Sequence, residues 1–238
     1  MNLTVARLTV RGLLGRRRGL LLLAAPVLLL VISVIARSGS EDKHDLATTI
    51  LGQLSLGTLL PLLGLIVGTG VIATEIDDGS IVYLLAKPLP RWQIITTKLA
   101  VAVVTTWVFA ALPTLIAGLV LVGTEDGLAV GYAVGTLVAG AAYSALFLLL
   151  SVVTRNAVVV GLGYALIWES LIGNFVDGAK TLSIQQWGRS IAESVAAEGA
   201  IDATVATAVA VPLLIVVILG ATALAAVKLA GLTLASEE

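Results

Sequence analysis

Gly19-Leu-Leu-Leu-Leu-Ala-Ala-Pro-Val-Leu-Leu-Leu-Val-Ile-Ser-Val-Ile-Ala36 decides the fold: 18 residues with no charge and one hydroxyl. At 1.5 Å per residue such a helix is long enough for a hydrocarbon core of roughly 30 Å. Arg16, Arg17 and Arg18 precede it, as in a signal peptide, but the run is too long for a signal h-region and no small-residue cleavage pattern follows. It reads as a retained membrane span. Further apolar stretches follow at 50–74, 95–122, 129–153, 157–173 and 205–230. Of these, 157–173 is the shortest, with Glu169 near its end. Backbone polar groups cannot go unpaired in lipid, so these stretches are helices, and no alternating barrel pattern is present.

Composition agrees. Of 238 residues, 58% are hydrophobic and 12% charged, with a mean hydropathy of +1.07, too little charge to cover a soluble surface. A net charge of −1 argues against nucleic acid. The absence of cysteine excludes disulfides, thiolate zinc sites and cysteine nucleophiles, and the lone His44 cannot build a histidine-ligated metal cluster. The sequence therefore predicts an all-α polytopic membrane protein, a single transmembrane domain over 1–238 with six transmembrane helices.

An even span count puts both termini on one side. With that side cytoplasmic, it holds Arg7, Arg11, Arg16, Arg17, Arg18, Lys87, Arg91, Lys98, Arg155 and Lys228. The far side holds Arg37, Lys43, Lys180 and Arg189, and ten against four satisfies the positive-inside rule.

Two segments read as amphipathic. Over 1–18, Leu3, Ala6, Val10, Leu13 and Leu14 share one helical face, with Arg7, Arg11 and Arg18 on another, as in a helix lying on anionic headgroups, where Arg16 and Arg17 would join them. In the outer loop 174–204, Ser183 is an N-cap candidate before the stripe Ile184, Trp187, Ile191 and Val195. This predicts an interfacial or re-entrant helix with Trp187 as a membrane-surface anchor. Gly64 with Gly68, and Gly131 with Gly135, are spaced for close helix packing, inside the chain or at a dimer seam.

Polar density peaks in Glu75-Ile-Asp-Asp-Gly-Ser-Ile-Val-Tyr-Leu-Leu-Ala-Lys-Pro-Leu-Pro-Arg-Trp-Gln-Ile-Ile-Thr-Thr-Lys98. Gly79 and Ser80 break the outgoing helix, Ser80 can cap a short helix carrying Leu84 and Leu85, and Pro88 and Pro90 stop it. Trp92 suits the headgroup level, with Arg91 and Lys98 as cationic anchors. Glu75 can brace the turn or receive a basic group from a partner.

This spacing resembles the first cytoplasmic loop of permease subunits of type-two ATP-binding-cassette transporters. That loop reads glutamate, three residues, glycine, Ser or Thr, a Leu-Leu-x-x-Pro-x-x-Arg element, then lysine. Here the positions are Glu75, Gly79, Ser80, Leu84, Leu85, Pro88, Arg91 and Lys98; Pro90 and Thr97 depart from residues common in the family. The resemblance implies an N-terminal elbow helix over 1–18, a coupling helix within 75–94 and a helix-bearing outer loop. It also implies an exporter in the cell membrane, working with two cytoplasmic ATPase subunits that bind ATP and Mg. A second permease copy or a similar permease completes the complex, and this chain binds no cofactor.

No G-x-x-x-x-G-K-S/T phosphate loop, H-E-x-x-H or G-x-S-x-G is present, so ATP-driven work requires another polypeptide. Glu169, the one acidic residue within a span, is either a pathway group or a hydrogen-bonded structural one. The competing readings are a stand-alone ion-driven transporter, for which only Glu169 is available, and a membrane-embedded enzyme, for which no paired catalytic groups assemble.

Overall fold

In the computed structural model, residues 3–39, 43–72, Glu75, 90–172 and 180–232 are described, and all their regular structure is helical. The helices are α1 (Leu3–Leu13), α2 (Arg16–Gly39), α3 (Lys43–Gly70), α4 (Arg91–Val122), α5 (Leu128–Val153), α6 (157–172), α7 (Ile184–Val195) and α8 (Thr207–Leu232). Among them α2, α3, α4, α5 and α8 are long and apolar enough to cross a membrane. Of the span expected at 157–173, residues 157–172 are described, and they are helical.

Three of the described helices contain a π-wound stretch, Tyr164–Ile172 of α6 among them, and in the other two a proline follows it. Within α3, Ile50–Leu59 is π-wound, and Pro61 follows; within α4, Trp107–Ala111 is π-wound, and Pro113 follows. Proline lacks an N–H and its ring collides with the carbonyl four residues back, so the preceding turn widens to relieve both. Nearby hydroxyls knit the helices in the absence of water: Ser55 to Thr114 at 2.6 Å between α3 and α4, and Thr106 to Ser144 at 3.1 Å between α4 and α5.

Helices α3 and α5 are central, with 67% and 61% of their apolar windows buried, against 22% for α2 and α8. Small residues let them meet. A Cβ on Gly64 would lie 2.8 Å from the Tyr143 Cβ, and one on Gly68 2.7 Å from the Phe147 Cβ. Gly131 and Gly135 likewise receive the backbone of α7, through the Ala192 and Gly188 carbonyls. Both glycine pairs thus face neighbours within the chain.

Helix α7 departs from an interfacial placement. Ile184, Gln185, Gln186, Trp187, Gly188, Ser190, Ile191 and Ala192 are all buried, and only Val195 of its apolar stripe is exposed. Its C-terminal end meets the start of α5, where Ala197 N–H donates to the Asp126 carbonyl at 2.8 Å. Gly188, in its first half, packs on Ala139 near the middle of α5. The helix therefore descends into the protein, because three glycines remove the side chains that would hold it at the surface.

Candidate functional site

The charged residues that bracket the polar loop are tied together. Lys98 lies two turns into α4, is fully buried, and donates through Nζ to Glu75 Oε1 at 2.7 Å and to the Val71 carbonyl at 2.5 Å. Val71 follows the last turn of α3, so the ammonium sits where helix carbonyls lack intrahelical donors and the macrodipole is negative. Glu75 keeps a 28% exposed side chain, while Lys98 has none exposed. One cation thus joins the end of α3, the first residue of the loop motif and the beginning of α4.

Arg91 opens α4 directly after Pro90, which holds an extended backbone at φ −65°, ψ 134°, and it is half-buried. Trp92 is 61% exposed at the same end. Gly79, Ser80, Leu84, Leu85 and Pro88 lie outside the described residues. On the same side, α1 buries Val5, Thr9 and Leu13 against the bundle and turns Arg7 and Arg11 outward. Its apolar face therefore divides. Leu8, Val10 and Leu14 remain exposed, while the i, i+4, i+8 stripe goes to protein. Arg16, Arg17 and Arg18 begin α2.

Glu169 is fully buried on α6 and caps α7. Its Oε1 accepts from the Tyr164 hydroxyl at 2.8 Å and Ile184 N–H at 3.0 Å; its Oε2 accepts from Ser183 Oγ at 2.5 Å and Gln185 N–H at 3.4 Å. Ser183 Oγ in turn accepts from Gln186 N–H at 3.3 Å, the N-cap bond its position predicts. Together they satisfy the N–H groups of Ile184, Gln185 and Gln186, the first turn of α7. A carboxylate at a helix N-terminus in a low-dielectric interior is stabilised by those donors and by the dipole. Of the two roles open to Glu169, the geometry is that of the hydrogen-bonded structural residue.

Trp187 is a correction. Only 3% of it is exposed, and its indole N–H donates to the Thr181 carbonyl at 2.8 Å, so it anchors α7 to its own entry segment and not to a membrane surface. The amphipathic stripe that suggested a surface helix is genuine, but its apolar side faces α5. Sequence spacing does not reveal which partner an amphipathic face meets. The cap was missed for a related reason: Glu169 and Ser183 are 14 residues apart and only the fold joins them. The serine's N-cap position was its one local signal.

Among the described residues no group of three or more His, Asp or Glu could hold a metal ion. The sequence model of a family described as "ABC-2 family transporter protein" matches residues 16–230. No curated protein matches the chain.

Proposed function

Because the chain belongs to the ABC-2 transporter family, we propose that this permease exports an apolar or amphipathic substrate, driven by ATP hydrolysed on a separate partner chain. The partner would be a pair of cytoplasmic ATPases carrying ATP and Mg. The permease would act as a homodimer or beside a similar permease, with both termini and the 75–98 loop on the cytoplasmic face of the cell membrane. Ten of fourteen Lys and Arg residues fall on the loop side of this arrangement, which supports the orientation. A broken sixth crossing, α6 from one end of α5 to its middle and α7 from the middle to the other end, is consistent with an even count.

The observation that carries the reading is the Lys98 clamp. An ATPase that docks on Leu84, Leu85 and Arg91 would push on a loop fastened at both ends to buried helices, so the force would reach α3 and α4 together. Such a rigid-body device needs no catalytic group in the permease.

The test is to co-express the chain with its ATPase, reconstitute the complex in liposomes, and measure ATP hydrolysis and transport. Leu84→Asp, Leu85→Asp and Arg91→Glu should abolish docking or leave hydrolysis uncoupled from transport. An isolated chain that moves solute down an ion gradient, with no ATPase bound, would sink the proposal.

A further inference from the structure

The exposed side chains along the long helices show what each face can meet. More than two turns from a helix end, those of α2, α4 and α8 are apolar apart from Trp107, whose N–H is bonded to the Leu137 carbonyl at 2.9 Å. Helix α3 differs, because its exposed residues in that range are Gln53 and Thr58. Both lie inside the span: Gly52 faces Tyr132, one turn into α5, and Leu60 faces Gly140 near the middle of that helix. The Thr58 hydroxyl donates to the Gln53 carbonyl at 3.1 Å across a π turn, so the two side chains stand on one face. Among the described residues the Gln53 amide has no hydrogen-bond partner. One helical turn at a time the strip continues through Leu62 and Ile66. These form part of one wall of a cleft of about 260 Å³, with Ala24, Ala25 and Leu28 of α2 on the other. The two alanines leave the cleft open, and no charged side chain of the described residues lines it.

An amide facing hydrocarbon has nothing to bond, which is costly, so a face that carries one meets something other than lipid tails. We propose that this face of α3 holds the transported molecule, and that the molecule is an uncharged amphiphile. Its apolar body occupies the cleft between α2 and α3, and its hydrogen-bonding head, an alcohol, ester or amide, meets Gln53. A carboxamide both donates and accepts, so it serves any of these heads. A charged head would be desolvated there without a counter-charge. The open cleft also sets this face apart from a flush subunit seam, where facing helices interdigitate. The inference rests on the export reading and narrows its substrate.

The test uses the purified full chain in phosphatidylcholine nanodiscs with no ATPase, so a negative result strikes the substrate assignment and leaves coupling to its own experiment. The probe is a monoacylglycerol with a diazirine in its acyl chain, and labelled peptides are mapped by mass spectrometry. Label should concentrate within 21–28 and 59–66. Unlabelled monooleoylglycerol should compete for it, and lysophosphatidic acid of the same chain should not. Gln53→Leu, at an exposed position, should weaken that competition about five- to tenfold, the worth of one hydrogen bond. Ala24→Phe, also exposed, fills the cleft and should remove the label. Label spread evenly over the exposed faces of α2, α4 and α8, or undiminished competition in Gln53→Leu, overturns the proposal. Equal competition by lysophosphatidic acid does so too, as does a disulfide between copies of the Gln53→Cys protein, which would make the strip a subunit seam.

Discussion

At the scale of single residues, the two buried charged residues among those described, Lys98 and Glu169, are held by helix ends, and the two partners of the clamp are not equivalent. Removing the carboxylate leaves the fully buried Lys98 with the Val71 carbonyl, whereas removing the ammonium leaves Glu75 partly open to solvent. An uncompensated buried charge costs on the order of 3–5 kcal/mol, more than a carboxylate that can be hydrated. Glu75→Gln should therefore destabilise the protein more than Lys98→Met, by roughly 2 kcal/mol, measured as the difference in denaturation midpoints in detergent. The reverse order would mean that the Val71 carbonyl, not Glu75, is the principal partner of the lysine. Glu169 offers a second test. Glu169→Gln keeps a side chain that can accept from Ile184 and Ser183, and should cost only about 1–2 kcal/mol of thermal stability with transport retained. Glu169→Ala, which leaves the Ile184 and Gln185 N–H groups without their carboxylate acceptor, should cost roughly twice as much. Loss of transport in a stable Glu169→Gln protein would instead place a titrating carboxylate on the pathway.

At the scale of elements, helix packing in lipid rests on backbone approach, and the same substitution should change sign with its surroundings. Gly135 faces the Gly188 carbonyl so closely that a Cβ cannot enter without displacing α7, whereas a Cβ on Gly220 in α8 meets nothing within 4 Å. Overpacking costs about 1–3 kcal/mol, and replacing an unobstructed helical glycine by alanine gains about 0.5–1 kcal/mol. Gly135→Ala should lower the melting temperature and Gly220→Ala should raise it. If both raise it, α7 is not seated on α5 as described. The π-wound segments make a similar point about local cause: Pro61 and Pro113 announce a disturbance in their helices, but the sequence does not say that it resolves as a widened turn and not a kink.

At the scale of the whole molecule, what the sequence made legible is what a bilayer imposes by length and composition. Five long apolar helices, the small-residue seams and the Ser183 cap follow from periodicity and the cost of unpaired backbone in lipid. What stayed hidden are the pairings made at a distance: Glu75 with Lys98, 23 residues apart, and Glu169 with the start of α7. The second of these lets the start of α7 lie buried, because a polar helix end can enter a bilayer only where another element satisfies it. The chain has no cysteine, so single-cysteine labelling is free of background. Cysteines at Ser38, Glu125 and Asp202 should react with an impermeant maleimide from one side of sealed vesicles, and those at Trp92 and Asn156 from the other. The deciding position is Gln185. If α7 lay flat on the membrane, Gln185→Cys would label from the side that reaches Glu125. With its N-terminus held by Glu169 inside the bundle, that cysteine should stay unreactive from both sides until the protein is denatured.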